Sequence, residues 1–324
     1  MKFLSQKSGS SRTWKQKFNF HTGERLNLFQ LILRLQGSNV ANIIPWIAFS
    51  TGYSLIITLL DYHEKHLPLP KISAGISNIV LSFNLILSFL LVFRVNAAYD
   101  RYWEGRKLWG ALINSVRNLT RKIIIIIEVS SKQNQLEKEE ILRLIVAFTV
   151  ALKLHLRREP PDKQLMMLMS SYRYAKLQNT SNIPLEIILW IEEYLQEQYR
   201  RNFINVYQLN TLQKLVDNLV DILGGCERIL KTPTPLAISI LLKQMLVLYF
   251  LSLPIEMVET LKWWTVPAIA IISLMFFGIE DIGSELENPF GCDPNNLPLD
   301  LICNAIYTNV EDLIKSQESL PISE

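Results

Sequence analysis

The sequence predicts an all-α membrane protein, with four transmembrane helices per subunit and a helical cytoplasmic region. Three observations carry that reading. Four apolar runs are each about as long as a bilayer core is thick. Lys and Arg crowd the flanks of those runs that would face the cytoplasm. The long stretch between the second and third runs has helical periodicity. The averages agree, since the 324 residues are 49% hydrophobic with a formal net charge of +3. So small a cationic excess argues against binding nucleic acid by bulk electrostatics, and the apolar content excludes a disordered chain.

The N-terminal segment, residues 1–39, is expected in the cytoplasm. It holds Lys2, Lys7, Arg12, Lys15, Lys17, Arg25 and Arg34 against Glu24. Up to Lys17 it is too polar for the apolar core of a signal peptide, so the first span is expected to insert uncleaved. Residues 40–93 hold the first two spans, Val40–Leu60 and Ile76–Phe93, both free of charge. Only Lys65 and Lys71 supply positive charge to the loop between them, which places it outside.

Residues 94–235 open with Arg94, Arg101, Arg106, Lys107, Arg117, Arg121 and Lys122, the mark of a cytoplasmic flank. Here Ile141, Ile145, Phe148 and Leu152 recur at helical spacing, as do Leu212, Val216, Leu219 and Leu223 ahead of Gly224-Gly225, which is expected to stop that helix. Ile123–Ile127 is β-branched throughout but has no second strand pattern to pair with, and it reads as buried helix. Pro160-Pro161 and the Lys176–Pro184 stretch separate helices. Residues 236–279 hold the last two spans, Leu236–Leu253, broken only by Lys243, and Trp263–Ile279. A lysine in hydrocarbon is expensive, so Lys243 is expected to face another helix or water, or to snorkel. Trp46, Trp263, Trp264 and Tyr249 are placed as interfacial aromatics. Residues 280–324 form a cytoplasmic C-terminal segment. The protein is thus expected to be multi-pass, with both termini cytoplasmic or stromal, in a bacterial inner membrane or a thylakoid membrane.

Signs of enzymatic chemistry are lacking. His63 and His66 make one His-x-x-His in the external loop without a third ligand, and His21 and His155 stand apart, so solvated surface is the reading rather than a metal site. Cys226, Cys292 and Cys303 are odd in number and widely spaced, which fits neither a disulfide framework nor a zinc knuckle. No phosphate-cradling Gly loop, GxSxG or HExxH occurs. No catalytic residue, metal or cofactor is therefore expected. Acidic residues Glu280, Asp281, Glu285 and Glu287 follow the last span, with Asp293 beyond them. They can hold a hard cation, or pair with the Arg-rich segment after the second span in a salt-bridge network.

Three segments resemble a known family. The run from Phe93 to Gly110, FRVNAAYDRYWEGRKLWG, is similar to the segment after the second membrane helix of bestrophins. Gly224–Ile229 with Thr232-Pro233-Thr234-Pro235 resembles the prokaryotic and plastid signature ahead of the third span. Glu287–Gly291, then Asp293 and Asn296–Asp300, resembles the motif after the last span. The resemblance implies a homopentameric ion channel with one pore on the fivefold axis and a narrow apolar neck on the second membrane helix. It implies passive conduction of chloride and related monovalent anions, although some bacterial relatives favour cations.

Carried onto this chain, the neck positions are Leu85, Phe89 and Phe93, spaced by four on one helical face. A competing stripe is Ile79, Phe83, Leu87 and Leu90. Animal members clasp calcium with consecutive carboxylates after Asn-Pro-Phe-Gly. Here that stretch reads Cys292-Asp293-Pro294-Asn295-Asn296, so opening is expected not to require calcium. The expected partners are further copies of the chain, the lipid bilayer and monovalent anions. A non-conducting membrane scaffold is the reading from a different class.

Overall fold

A computed structural model describes residues 40–64, 74–128 and 131–318. The basic N-terminal residues, His21, His66, Lys65 and Lys71 lie outside the described residues. In chain order the α-helices are α1 (Val40–Glu64), α2 (Ala74–Ile126), α3 (Lys132–Arg157), α4 (Lys163–Met166), α5 (Ser171–Leu177), α6 (Ile183–Arg200), α7 (Val206–Lys231), α8 (Leu236–Leu261), α9 (Thr265–Glu287) and α10 (Leu299–Glu318). A short 3-10 turn, Lys262–Trp264, joins α8 to α9. No strand occurs among the described residues, and the all-helical expectation stands.

The chain divides into two compact units. The first takes the chain up to Tyr99, Thr234–Glu287 and Asp293–Asn295, and the second takes Asp100–Pro233, Asn288–Cys292 and the chain from Asn296 onward. Among the described residues, three stretches are long and apolar enough to cross a membrane: Asn42–His63, Val80–Ile126 and Leu236–Glu287. The third is divided by the 3-10 turn into helices of 26 and 23 residues. At 1.5 Å per residue each half exceeds the ~30 Å of a hydrocarbon core.

In the first unit α1 packs along α8 and α9. Its buried polar side chains Ser50, Ser54 and Thr58 recur every four residues on one face. Ser50 Oγ donates to the Trp46 carbonyl (2.9 Å) and Thr58 Oγ1 to that of Ser54 (2.8 Å), so two of the three hydroxyls find acceptors within the helix. Small side chains of this kind let membrane helices approach closely. The core gathers Ile43, Leu87, Leu91, Leu242, Leu246, Phe250, Ile269 and Phe277, with the Phe250 and Phe277 rings stacked at 4.9 Å.

Tyr249 belongs to that core rather than to an interface. It is 4% exposed and its ring meets Phe83, Phe250 and Phe276. It stands midway along α8, too far from either end to reach a headgroup region. Trp46, Trp263 and Trp264 remain exposed. Lys243 is exposed on its own unit.

No proline interrupts α2, whose 53 residues rise about 80 Å. Its last turn is closed from α3: Lys138 Nζ donates to the carbonyls of Ile124 (2.9 Å) and Ile127 (2.8 Å), acceptors that the helix end would otherwise leave unpaired. Burial pushes the Lys138 ammonium down to about 8, against the pull of Glu128. The Ile123–Ile127 run is helix as far as Ile126, but only one face is buried: Ile123 and Ile127 are fully buried, whereas Ile125 is 67% exposed.

The second unit is built on α3, which packs against α6 and α10, while α6 packs against α7. Ile141, Ile145, Phe148 and Leu152 are all buried. Arg158, at φ 56°, ends α3 in the left-handed conformation just before Pro160-Pro161. A capping box of Asn205 and Gln208 opens α7.

Gly224-Gly225 does not stop α7, which runs on to Lys231 and ends at Thr232-Pro233. The glycines serve packing instead. A Cβ on Gly225 would lie 2.9 Å from Leu108 Cδ2, so the missing side chain lets α7 and α2 touch. At Gly105 the approach is slightly longer but meets stiffer groups, since its Cβ would sit 3.1 Å from Phe290 Cε1 and 3.2 Å from Pro289 Cγ. Phe290 is fully buried and cannot swing away. Gly105→Ala is therefore expected to lower stability by up to about 2 kcal/mol net, overpacking of about 1–3 kcal/mol set against a gain of ~1 kcal/mol in helix propensity. Thermal unfolding in detergent checks the sign; a raised midpoint would contradict it.

Candidate pore-lining face and its anchors

The two stripes proposed for α2 have opposite surroundings. Leu85, Phe89 and Phe93 are 56%, 63% and 68% exposed on the first unit, whereas Leu87 is fully buried and Leu91 nearly so. Phe83 and Leu90 pack against the same core. The side chain of Ile79 lies outside the described residues. Two faces of one helix thus divide the work. One holds α2 in the unit, and the other presents three large apolar side chains over two turns, about 12 Å of rise. Below Phe93 the exposed face turns to Asn96 and Ala97.

At the end of the stripe Arg94 turns inward and is 6% exposed. Its guanidinium pairs with Glu280 (2.9 Å) and lies 3.8 Å from Glu287, both on α9. Glu287 also accepts from the backbone N–H of Thr234 (3.0 Å) and from the Thr234 hydroxyl. One guanidinium therefore ties the residue after Phe93 to the end of α9, and through it to the start of α8. The sequence signalled an Arg-rich flank without singling out this arginine. Its place directly after an uncharged run was the available cue.

The other carboxylates do not converge on Arg94. Glu285, 6% exposed, accepts from Asn295 Nδ2 (2.5 Å) and faces the charges of Asp281 and Asp293. Among the described residues no group of three or more His, Cys, Asp or Glu is arranged to hold a metal. Of the two readings of this acidic cluster, Glu280 and Glu287 form ion pairs, and Glu285 is held by an amide.

The resembling segments also meet inside the second unit. Arg101 donates to the carbonyls of Ile229 (2.6 Å) and Thr232, and Arg228 pairs with Glu104. Asp300, in the first turn of α10, accepts from Lys153 and Arg157 of α3, each at 3.0 Å. Asp300 belongs to the third family-like segment, but nothing local to it marks its partners, which lie more than 140 positions away. Burial alone would raise the Asp300 carboxyl, but Lys153 and then Arg157 more than offset it and hold it below the usual carboxylate value.

A depressed folded value means stability that is present above about pH 4 and lost as pH falls through the folded value. Asp300→Asn is expected to lose that contribution at neutral pH and to flatten the acid limb of the stability profile, read by thermal unfolding between pH 3 and 7. A variant that keeps the parent acid limb would contradict this.

His63 is exposed, and His155 meets Glu227 at 2.9 Å. The cysteines are free thiols, and burial pushes both Cys226 and Cys303 up to about 12, which leaves them unreactive.

Comparison with known proteins agrees with the architecture. A family model described as Bacterial/Fungal Bestrophin protein matches residues 21–312. A voltage-dependent anion channel-forming protein of Nostoc sp. is 48% identical over 285 residues, 88% of this chain and 91% of its own length. Its counterpart from Synechocystis sp. is 46% identical over the same shares. The crystal structure of a bacterial Bestrophin homolog from Klebsiella pneumoniae, 27% identical, superposes with a TM-score of 0.75 over 84% of this chain and 98% of that one. The matches run through the apolar helices and the helical unit alike, and the chain belongs to the bestrophin family as a multi-pass membrane protein.

Proposed function

We propose that the protein is a homopentameric channel, passing chloride and related monovalent anions passively through one pore whose neck is lined by Leu85, Phe89 and Phe93 of every copy. The single observation that carries this reading is the division of α2, in which an exposed apolar stripe is backed by a face buried in the core. Lipid-facing positions such as Ile86 and Val92 are exposed on α2 as well, and what favours Leu85, Phe89 and Phe93 as the neck is their shared face running directly into the family-like segment that starts at Phe93. The names of the Nostoc and Synechocystis relatives support anions as the cargo.

Five such stripes form a constriction that gates by dewetting, because a narrow apolar tube excludes water until it widens. Phe rings turned edge-on offer their positive rim to an anion that has shed part of its hydration. Residues 40–93 and 236–279 supply the four spans. Segments 1–39, 94–235 and 280–324 lie on the cytoplasmic or stromal side of a bacterial inner or thylakoid membrane, supported by the basic flanks. No catalytic residue is assigned, since conduction needs none.

A reversal-potential measurement on reconstituted protein under a chloride gradient tests the reading. The potential is expected to follow chloride. One that follows the cation would overturn the selectivity, and absence of current would leave the scaffold reading. With only Asp293 keeping a carboxylate in the 292–296 stretch, current is expected to persist with calcium chelated on the cytoplasmic side. Strictly calcium-dependent current would refute that independence.

A further inference from the structure

We infer that the cytoplasmic half of α2 holds a site for a soluble multivalent anion of the polyphosphate class, centred on Arg117 and Arg121, which blocks the channel from that side. The block and the cytoplasmic placement rest on the channel reading above, whereas the site itself lies within the second unit. From Gly105 to Ile127 the sequence carries Arg106, Lys107, Arg117, Arg121 and Lys122 and no Asp or Glu. All but the half-buried Lys122 are exposed, and among the described residues none of the five is ion-paired with a carboxylate. The adjoining acids lie beyond the two ends of this stretch. Asp100 and Glu128 are exposed, and Glu104 pairs with Arg228.

Arg117 and Arg121 stand one turn apart, where like charges repel and destabilise a helix. An anion lying across both removes that repulsion, and each planar guanidinium offers parallel N–H donors to phosphate oxygens. Chloride neutralises one charge, whereas a polyphosphate neutralises several at once. About three turns nearer the neck, Arg106 and Lys107 lie 5.2 and 5.8 Å from the Trp103 ring, which keeps two more cations together.

A lipid headgroup is the other source of phosphate, and distance argues against it. Arg117 follows Phe93 by 24 residues, about 36 Å of helix rise, whereas the headgroup layer on each side of the hydrocarbon core is only ~5–8 Å thick. By the 3.6-residue repeat, Lys107 returns to the bearing of Phe89 after about five turns, and Arg121 to that of Leu85 after about ten. In the proposed pentamer these cations therefore follow the neck stripe along the axis. An occupant too large and too charged for an apolar neck stops the chloride behind it.

Calorimetric titration of the purified full-length protein with sodium tripolyphosphate, in phospholipid-free detergent, is expected to give saturable binding. Arg117→Gln/Arg121→Gln is expected to weaken it about tenfold or more, from the loss of two charge-assisted contacts. Lys163→Gln/Lys315→Gln, which removes two exposed cations from α4 and α10, keeps the parental affinity. Absence of saturable heat, or equal weakening in the two double variants, would overturn the site. So would loss of binding in nanodiscs of anionic phosphatidylglycerol, which would give the face to lipid. In reconstituted bilayers, tripolyphosphate on the cytoplasmic side is expected to lower chloride current several-fold in the parent and much less in Arg117→Gln/Arg121→Gln. Binding without block would overturn the coupling to conduction. Binding with no chloride current under any condition would leave the site standing and remove the channel reading on which the block rests.

Discussion

Replacing Leu85, Phe89 and Phe93 together with Ala is expected to leave folding nearly intact and to raise chloride conductance several-fold, with loss of closed intervals. The side chains are more than half exposed on their own unit, so truncating them opens no internal void. In a pore they would supply the apolar collar that excludes water, and with the collar removed the dewetting barrier falls. Leu87→Ala is the informative contrast. That residue is two positions from Leu85 but fully buried, and its truncation is expected to cost about 2–5 kcal/mol of stability with little change in single-channel conductance. Single-channel recording and thermal unfolding separate the two. Unchanged current in the triple variant would place the pore elsewhere.

Arg94→Ala is expected to be the most damaging single charge removal, at about 3–5 kcal/mol, because it strands Glu280 and loosens Glu287 in a half-buried site. Arg94→Lys recovers little, since one ammonium cannot span two carboxylates as a planar guanidinium does. Arg94→Met with Glu280→Gln and Glu287→Gln recovers more than either lysine or alanine, because the stranded charge is gone. Loss of the clamp also frees the residue after Phe93, so recordings of Arg94→Lys are expected to show altered gating at parental conductance. A parental unfolding midpoint for Arg94→Ala would disprove the clamp.

Element type was legible along most of the chain because it depends on local pattern. The helical recurrences on α3 and α7 and the uncharged runs need no distant partner to be read. Gly224-Gly225 and Tyr249 were misread for the complementary reason. A glycine pair serves equally as a stop and as a contact surface, and only Leu108 shows which. An aromatic near the end of a hydropathy window is interfacial only if the helix ends there, and α8 continues to Leu261. The cluster after the last span was visible as charge, but its division between Arg94 and Asn295 was not.

From sequence alone came the all-helical class, the membrane-crossing runs, the three family-like segments and two competing stripes on α2. Those follow from periodicity, hydropathy and motif, which are properties of neighbours along the chain. Tertiary structure alone decided which stripe faces outward, which arginine holds α9, and why a side chain at Gly105 would be crowded. Each depends on residues 100 to 200 positions apart being packed to van der Waals contact or paired in a partly desolvated site, and no local pattern records such a partner.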